Sequence, residues 1–333
     1  MHFLLPELEQ RLAAIFEFNG VLPEAAASVA KGLVAAEAAG QTSHGLRRVV
    51  AYVSQVRTGK VRGEAKAVLS RPRPSFLAID ANHGFAFPAL DLAVDSLVPL
   101  VREQGIAAAA IHRSHHAGVL ALTVERFAEQ GLMAIMFANA PASMAPWGGK
   151  RPLFGTNPIA FALPVPKQAP IVIDLALSKV ARGKVMEAQQ RGAPIPDDWA
   201  LDEQGNPTAD ANAALRGTMA PAGGAKGAAL ALMVEVLSAS LTGAQYSFEA
   251  SSLFDDRGGP PALGHFIIAI DPSAAAGPQV ESRIALLAEE MAREPGVRLP
   301  GRRGQSARAK AAREGIEIDD SVMQAIERLQ LRN

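Results

Sequence analysis

The chain has 333 residues, too many for one small domain, and its 49% apolar content is enough for a sizeable core. Thirty-three basic residues balance thirty-three acidic ones, which argues against nucleic acid or an anionic membrane as the main partner and leaves any anion site to be local. The absence of cysteine excludes disulfides, thiolate zinc sites, iron–sulfur clusters and a cysteine nucleophile.

In chain order, "MHFLLPELEQRL" has no basic region ahead of an apolar core, and no 18-residue apolar run is free of charge. Neither a signal peptide nor a transmembrane helix is expected, and the setting reads as cytoplasmic. Leu5, Leu8, Leu12, Ile15 and Phe16 recur at helical spacing, closed by Gly20. A second helix is predicted from about Glu24 to Ala39, with Pro23 at its first turn and Gly40 as its stop. A third is expected to begin near Ser43 and to include "RRVVAYVSQVRTG". "RPRPSFLAID" reads as a Pro-punctuated loop turning into a strand over 75–80. Helix and strand then alternate: helix over about 88–103, buried strand over 106–111, helix over 117–130, strand over 132–139. Segments 158–164 and 170–175 are two strands joined by a short turn near Lys167. They are too close for a parallel crossover, so they pair antiparallel and the sheet is mixed. Residues 189–222, rich in Pro, Gly, Asp and Ala, are expected to form a long ordered loop or an exposed excursion. A strong apolar helix over 226–242 ends at Gly243, and a strand over 265–271 and an amphipathic helix over 279–293 come next. The basic segment "LPGRRGQSARAKAAREG" precedes a final helix from about Asp320.

Five stretches hold the candidate chemistry. In "GQTSHGLRR", Ser43 is a good N-cap. On a continuing helix His44 and Arg48 stand four apart and share a face, with Arg47 beside them. Histidine near its ordinary pKa can hand a proton to a substrate oxygen, and arginine is the best fork for a carboxylate. One helical turn could therefore hold a 2-oxo acid and protonate its carbonyl; a cap beside solvated charges is the bland alternative. In "AIHRSHHAGVLA", His112, His115 and His116 follow a buried strand where a helix begins. Their spacing is compatible with a metal site, but no carboxylates accompany them, and Gly118 suggests a turn. The end of a strand before a helix is also where backbone amides meet phosphate, and a purely structural loop stays open. "MAPWGGKRPLFGTNPIAF" makes a tight turn into a strand, with Thr156 and Asn157 offering hydrogen bonds. In "PAGGAKGAALALMVEVL", Gly223, Gly224 and Gly227 surround Lys226 at a helix start, which suits an anion or simply a Gly-rich helix beginning. It is not a P-loop, and no GxGxxG follows any strand. Arg302, Arg303 and Arg308 could hold a phosphate or be a solvated basic stretch.

The ordered set "SHGLRR", "HRSHHAG", "PLFGTNPIAFALP", "IVIDLALSKVARGK", "WALDEQGNPTAD", "GGAKGAALALMVEVLSASLTGA" and "LPGRR" resembles the malate/L-lactate dehydrogenase family over about residues 5–325. That family also holds ureidoglycolate, diketogulonate and sulfolactate dehydrogenases, and the reductases of piperideine- and pyrroline-2-carboxylate. The resemblance implies an α/β fold with a mixed, mostly antiparallel sheet in a non-Rossmann NAD(P)-binding domain. Helical segments from both termini flank it: 1–70 with 285–333 as a terminal domain, and 71–284 as the cofactor-binding and catalytic domain. It implies a homodimer with its active site near the interface, acting on a small 2-oxo or 2-hydroxy acid, or on a cyclic imine carboxylate. The cofactor is NADP or NAD, the tail arginines leaning towards NADP. No resident metal is implied. By the same resemblance His44 matches the proton donor, Ser43 its partner and His116 a second active-site histidine. Arg48 matches the carboxylate clamp and Thr156 a substrate contact, and Arg47 is a candidate for a second anionic group. Cofactor contacts fall on His115, Ala117, Gly118, Asp174, Leu175, Ala176, Lys226, Gly227, Arg302 and Arg303. One departure stands out: the cyclic-imine reductases have Asp where this chain has Lys184.

Overall fold

The computed structural model describes residues 1–330. A short strand β1 (His2–Phe3) leads into helices α1 (Leu5–Phe18) and α2 (Pro23–Ala38), which pack as an antiparallel pair. Each starts with proline in its first turn, where no amide hydrogen bond is forfeited. Helix α3 (Val49–Arg57) follows, then β2 (Val68–Arg73), β3 (Phe76–Asp80), α4 (Ala86–Gln104) and β4 (Ile106–Ser114). Next come α5 (Leu120–Ala128), β5 (Met133–Ala138), β6 (Ile159–Val165) and β7 (Gln168–Leu175). The excursion holds α6 (Arg182–Gln190), β8 (Ala200–Leu201), α7 (Ala211–Arg216) and β9 (Thr218–Met219). The chain ends with α8 (Ala225–Glu235), β10 (Leu263–Ile270), α9 (Ser273–Ala276), α10 (Gln279–Arg293), α11 (Arg302–Glu314), β11 (Ile316–Glu317) and α12 (Asp320–Glu327).

Seven strands form the main sheet in the order β2-β3-β4-β10-β5-β6-β7. Only β3 and β4 run parallel, and helix α4 is their crossover; every other neighbour is antiparallel. The mixed, mostly antiparallel sheet is as expected, including the β6–β7 hairpin. Along β4 the side chains alternate between two cores, as period two requires. Ala107, Ala109 and Ile111 join the layer under α4 and α5, while Ala110 joins the opposite layer with Phe137, Phe154 and Phe266. Alanines in this central strand let both layers sit close to the backbone. A third core joins Leu8, Leu12, Phe16 and Leu33 to Tyr52, Phe85, Met323 and Ile326, so the last helix closes onto the first. Helix α10 lies elsewhere: Ile284 and Ala288 pack on Val165 and Ile171 of the β6–β7 hairpin.

Four local expectations need correcting. Residues 71–73, read as part of a Pro-punctuated loop, end the exposed edge strand β2, whose register slips between Ser70 and Arg73. An edge tolerates Pro72 because that side of the strand needs no amide donor. Residues 302–314, read as a basic tail, form helix α11. Alanine and arginine favour helix, and Ala311 is buried while Arg308 pairs with the buried carboxylate of Glu125. The long ordered loop or exposed excursion expected over 189–222 instead holds the end of α6, β8, α7 and β9, with Ile195, Ala200, Ala211, Ala214 and Met219 buried and Asp210 capping α7. The helix expected from Ser43 is broken into two 3₁₀ turns, Thr42–His44 and Leu46–Arg48, before α3 starts. The break lies at Gly45, where a Cβ would come within 2.2 Å of the Glu37 carboxylate. That carboxylate accepts the Leu46 amide at 2.8 Å, tying the turn to α2.

Candidate active site

The two 3₁₀ turns set out the first half of the site. Ser43 Oγ lies 3.0 Å from His44 Nδ1, which leaves His44 Nε2 free. Arg48 donates from Nε to the Ser43 carbonyl at 2.8 Å, so the same turn positions histidine and guanidinium without the α-helical spacing expected. The outer edge of the guanidinium keeps its remaining N–H groups for a ligand. Its flat face lies against the Phe254 ring, with Cζ 4.7 Å from the centroid.

The second half comes from the end of β4. The β4–β10 ladder shifts register between Leu263, which pairs with Ser114, and His265, and the chain leaves the sheet at His115. His265 Nε2 lies 3.1 Å from both Ser114 Oγ and the His115 carbonyl, which steadies this exit. Adjacent side chains in extended backbone point opposite ways. His115 is thus turned inward, 1% exposed, edge-on to Tyr52 and Phe85. The ring expected to meet the cofactor is enclosed by protein. His116 turns the other way and stacks on His44, with ring centroids 5.3 Å apart at 29°. Tyr52 OH lies 2.6 Å from His116 Nδ1, leaving His116 Nε2 free. Burial pushes the Tyr52 phenol well above its ordinary value, so it keeps its proton at neutral pH. Tyr52 and Phe254 were missed in the sequence. A tyrosine at a core position of a helix was the one available signal, because a buried phenol needs a polar partner.

Burial first, and the Arg48 charge second, hold His44 down to about 4; the same two causes hold His116 well below the ordinary value. Solvent still reaches His44, so it sits in a crowded concavity and not in the sealed core. Burial also lowers His115 to about 3 and His265 to about 4. All four histidines thus have folded values below the unfolded value of about 6.5. Between those limits the unfolded chain binds protons that the folded chain refuses, so stability is fully present above pH ~6.5 and is lost as pH falls. Each histidine contributes up to roughly 1.4 kcal/mol per pH unit. Thermal melts between about pH 6.5 and 4 should show a steep fall in Tm; a flat Tm across that range would mean that the four rings are not held uncharged.

From His116 the chain runs through Ala117 and Gly118, both buried, to the start of α5. There the Ala121 amide donates to Asp174 Oδ2 at 2.8 Å. Asp174 is solvent-exposed yet crowded on most sides, as at the floor of a cleft; burial raises it to about 6 against the opposing amide bonds from Ala121 and Leu120. Leu175 is exposed and Ala176 half-buried, and the next residue, Leu177, donates its amide to the Thr156 carbonyl at 2.8 Å. The Leu177 carbonyl accepts from Ala222 at 2.8 Å, so the loop before α8 joins the same wall. Thr156 stands there because Asn157, at a φ of 39°, is held by the buried Glu235 at 2.7 Å. Arg302 lies at the far end of β7, donating to Gln168 at 3.1 Å. Six strand steps separate Gln168 from Asp174, about 20 Å, so only an extended ligand could touch both ends. Arg303 is exposed. Arg47 is exposed too, and its charge acts on Glu37 and Asp319, whereas that of Arg48 acts on the histidines. Among the described residues no group of three or more His, Asp or Glu side chains could hold a metal ion.

The chain fits a dinucleotide on its own geometry. Helix α8 begins at Gly223 and Gly224, both at positive φ, and no side chain caps its first amides. A Cβ at Gly227 would come 1.9 Å from the Ala222 carbonyl, so the turn closes only around glycine. Open space beside Gly223 and the exposed Lys226 complete an anion cradle at a helix start. A cavity of about 780 Å³ adjoins it, lined by Trp147, Lys150, Lys179, Gly223 and Gly224.

A family model described as malate/L-lactate dehydrogenase matches residues 4–327. A (2R)-3-sulfolactate dehydrogenase (NADP(+)) from Chromohalobacter salexigens is 49% identical over 96% of this chain and 95% of its own. A Delta(1)-pyrroline-2-carboxylate/Delta(1)-piperideine-2-carboxylate reductase from Pseudomonas putida is 40% identical over 97% and 95%. Among solved structures, a delta1-piperideine-2-carboxylate reductase from Pseudomonas syringae aligns with a TM-score of 0.94 at 38% identity, covering 99% of both chains. The sulfolactate dehydrogenase of Methanocaldococcus jannaschii aligns at 0.91 with 28% identity, covering 99% of this chain and 96% of that one. Fold and likeness together define an NAD(P)-dependent oxidoreductase built without the Gly-rich βαβ dinucleotide motif. The chain belongs to the malate/L-lactate dehydrogenase family.

Proposed function

We propose that this chain interconverts a small 2-oxo acid and its 2-hydroxy acid, with sulfolactate-type acids first among the candidates and NADP preferred. The observation that carries the reading is the free edge of Arg48, presented beside the stacked His44–His116 pair. Bound NAD(P)H supplies the hydride, and NAD(P)+ takes it back. Arg48 holds the substrate carboxylate through its two outer nitrogens and so keeps the 2-carbon in hydride range. As negative charge grows on the carbonyl oxygen, His44 meets it and donates a proton from Nε2, its Nδ1 being held by Ser43. In the oxidative direction the neutral His44 accepts that proton. His116, steadied by Tyr52, lines the same cleft. Arg47 and Thr156 are the remaining candidates for substrate contact. Ala117, Gly118, Asp174, Leu175, Ala176, Lys226 and Gly227 would hold the nicotinamide cofactor, with Arg302 and Arg303 for the adenosine phosphate. Likeness to an NADP-linked sulfolactate dehydrogenase supports the substrate and cofactor preference.

The second reading is reduction of a cyclic imine carboxylate, favoured by likeness to several such reductases. Against it stands the departure noted in the sequence at Lys184, whose ammonium lies 5.9 Å from the centre of the Trp199 ring. In our reading segments 1–70 and 285–333 form a terminal domain whose N-terminal part carries His44 and Arg48, and 71–284 supplies His116 and the cofactor wall. A homodimer is supported by the outward face of α8 and the segment after it. Leu230, Leu232, Met233, Val236, Leu241 and Phe248 are all at least 40% exposed, more apolar surface than a solitary helix normally leaves in water. No helix among the described residues is long and apolar enough to cross a membrane. The cytoplasm, with its nicotinamide pool, is the compartment that this chemistry calls for.

The test is NADPH and NADH oxidation with pyruvate, oxaloacetate, 3-sulfopyruvate, piperideine-2-carboxylate and pyrroline-2-carboxylate. The expected result is the highest kcat/KM with 3-sulfopyruvate and NADPH. A cyclic imine as the best substrate would overturn the substrate assignment and leave the family untouched.

A further inference from the structure

We propose that Phe254 is a positioning residue for carboxylate recognition, holding the Arg48 guanidinium in its substrate-facing orientation from a loop that Lys60 locks in place. The inference rests on the reading of Arg48 as the carboxylate clamp.

The lock is unusual chemically. Lys60 is 1% exposed, yet its ammonium meets no buried carboxylate head-on. It donates instead to three carbonyls of one loop: Ser252 at 2.6 Å, Asp255 at 3.0 Å and Arg257 at 2.7 Å. Three donors meet three acceptors, so the charge is fully hydrogen-bonded and the loop is curled around it. The partly exposed Asp255 carboxylate adds an ion pair at 3.5 Å. Helix α3 grips the same loop from its last turns. Ser54 donates to Asp256 at 2.5 Å and Gln55 to the Asp255 carbonyl at 2.9 Å. Helix α3 starts immediately after Arg48, so one rigid element holds the clamp at its beginning and the loop near its end. Within the loop Leu253 is buried and Phe254 is 48% exposed, with its ring over Arg48.

An arginine side chain has several rotatable bonds, and a carboxylate must find both outer nitrogens together. The Ser43 carbonyl restrains Nε, and the Phe254 face restrains the plane. Together they leave the bidentate edge as the exposed part. Removing the ring frees the plane to swing and lets water reach the guanidinium face. Ground-state and transition-state binding of the carboxylate weaken alike, so KM moves more than kcat.

The experiment compares Phe254→Ala, Phe254→Tyr and the unaltered enzyme, using whichever carboxylate substrate the unaltered enzyme reduces, 2-oxo acid or cyclic imine. A wrong substrate assignment therefore leaves this test standing. Because Phe254 is half-exposed, its truncation should not unfold the chain. Phe254→Ala should raise KM for the carboxylate substrate about tenfold, the scale of a partly desolvated cation–π contact. It should leave kcat within about threefold and the dissociation constant for NADPH, read by fluorescence, unchanged. Phe254→Tyr, which keeps the ring, should restore KM. Unchanged KM in Phe254→Ala overturns the proposal. So does a loss of NADPH affinity equal to the rise in KM, or a Tyr variant as impaired as the Ala variant, since either would assign the ring a general structural role.

Discussion

His44→Ala should lower turnover by about 100-fold or more in both directions, the scale expected when a positioned acid–base group is lost. His44 is one partner of a stacked histidine pair, and its inner nitrogen is already committed to Ser43. With the free-enzyme value held down to about 4 by burial and by Arg48, the ring is neutral at pH 7 and ready to accept a proton in the oxidative direction. In the reductive direction it must first be charged. A carboxylate seated on Arg48 removes the second of the two causes that keep it neutral, so substrate binding itself favours the proton-donating form. The reductive rate should therefore rise towards acidic pH and the oxidative rate towards alkaline pH, until the protein begins to unfold. Steady-state rates with the best substrate, at several pH values, check both claims. A His44→Ala enzyme within about threefold of the unaltered one would remove this residue from the chemistry.

Arg48→Met should raise KM for the carboxylate substrate by about 100-fold, the size expected when a buried, charge-assisted fork is lost from a charged ligand. A second and independent effect comes from the electrostatics. The Arg48 charge lowers His44, His115 and His116 together. Without it the charged imidazolium of His44 is less opposed, so its pKa rises towards the ordinary histidine value. The oxidative reaction needs the neutral ring, so the acidic limb of its kcat/KM profile should move to higher pH. Arg48→Lys should keep the limb near its original place, because the charge survives, while still losing much of the affinity, because the planar fork does not. A raised KM with an unmoved limb in Arg48→Met would show that Arg48 serves the substrate alone and does not tune His44.

Several parts of this molecule were legible in the amino-acid order alone. Glycine stops, prolines in first turns and apolar spacing located α1, α2, α4 and α10 closely, because these signals act within one or two helical turns. The shortness of the link near Lys167 forced β6 and β7 antiparallel, since a parallel pair needs a crossover. The ordered motifs identified the family, and the family's non-Rossmann fold accounted for the missing GxGxxG. Where local signals were ambiguous, the reading failed for identifiable reasons. Nothing near Gly45 in the sequence interrupts a continuous helix, but its approach to Glu37 splits the segment into two turns. Edge strand β2 has no alternating pattern to read, because neither of its faces is buried.

Only the tertiary structure decided which of two adjacent histidines faces the cleft. His115 and His116 are alike in sequence, and a half-turn of extended backbone sends one to the core and the other to His44. Tyr52 on His116 and Phe254 on Arg48 are likewise contacts between segments 64 and 206 positions apart. Such pairings depend on how helices and sheet stack, and no period of 2 or 3.6 encodes them. The residue types therefore settled what chemistry was available, and long-range packing settled which of those residues meet, at what angle, and how far each is removed from water.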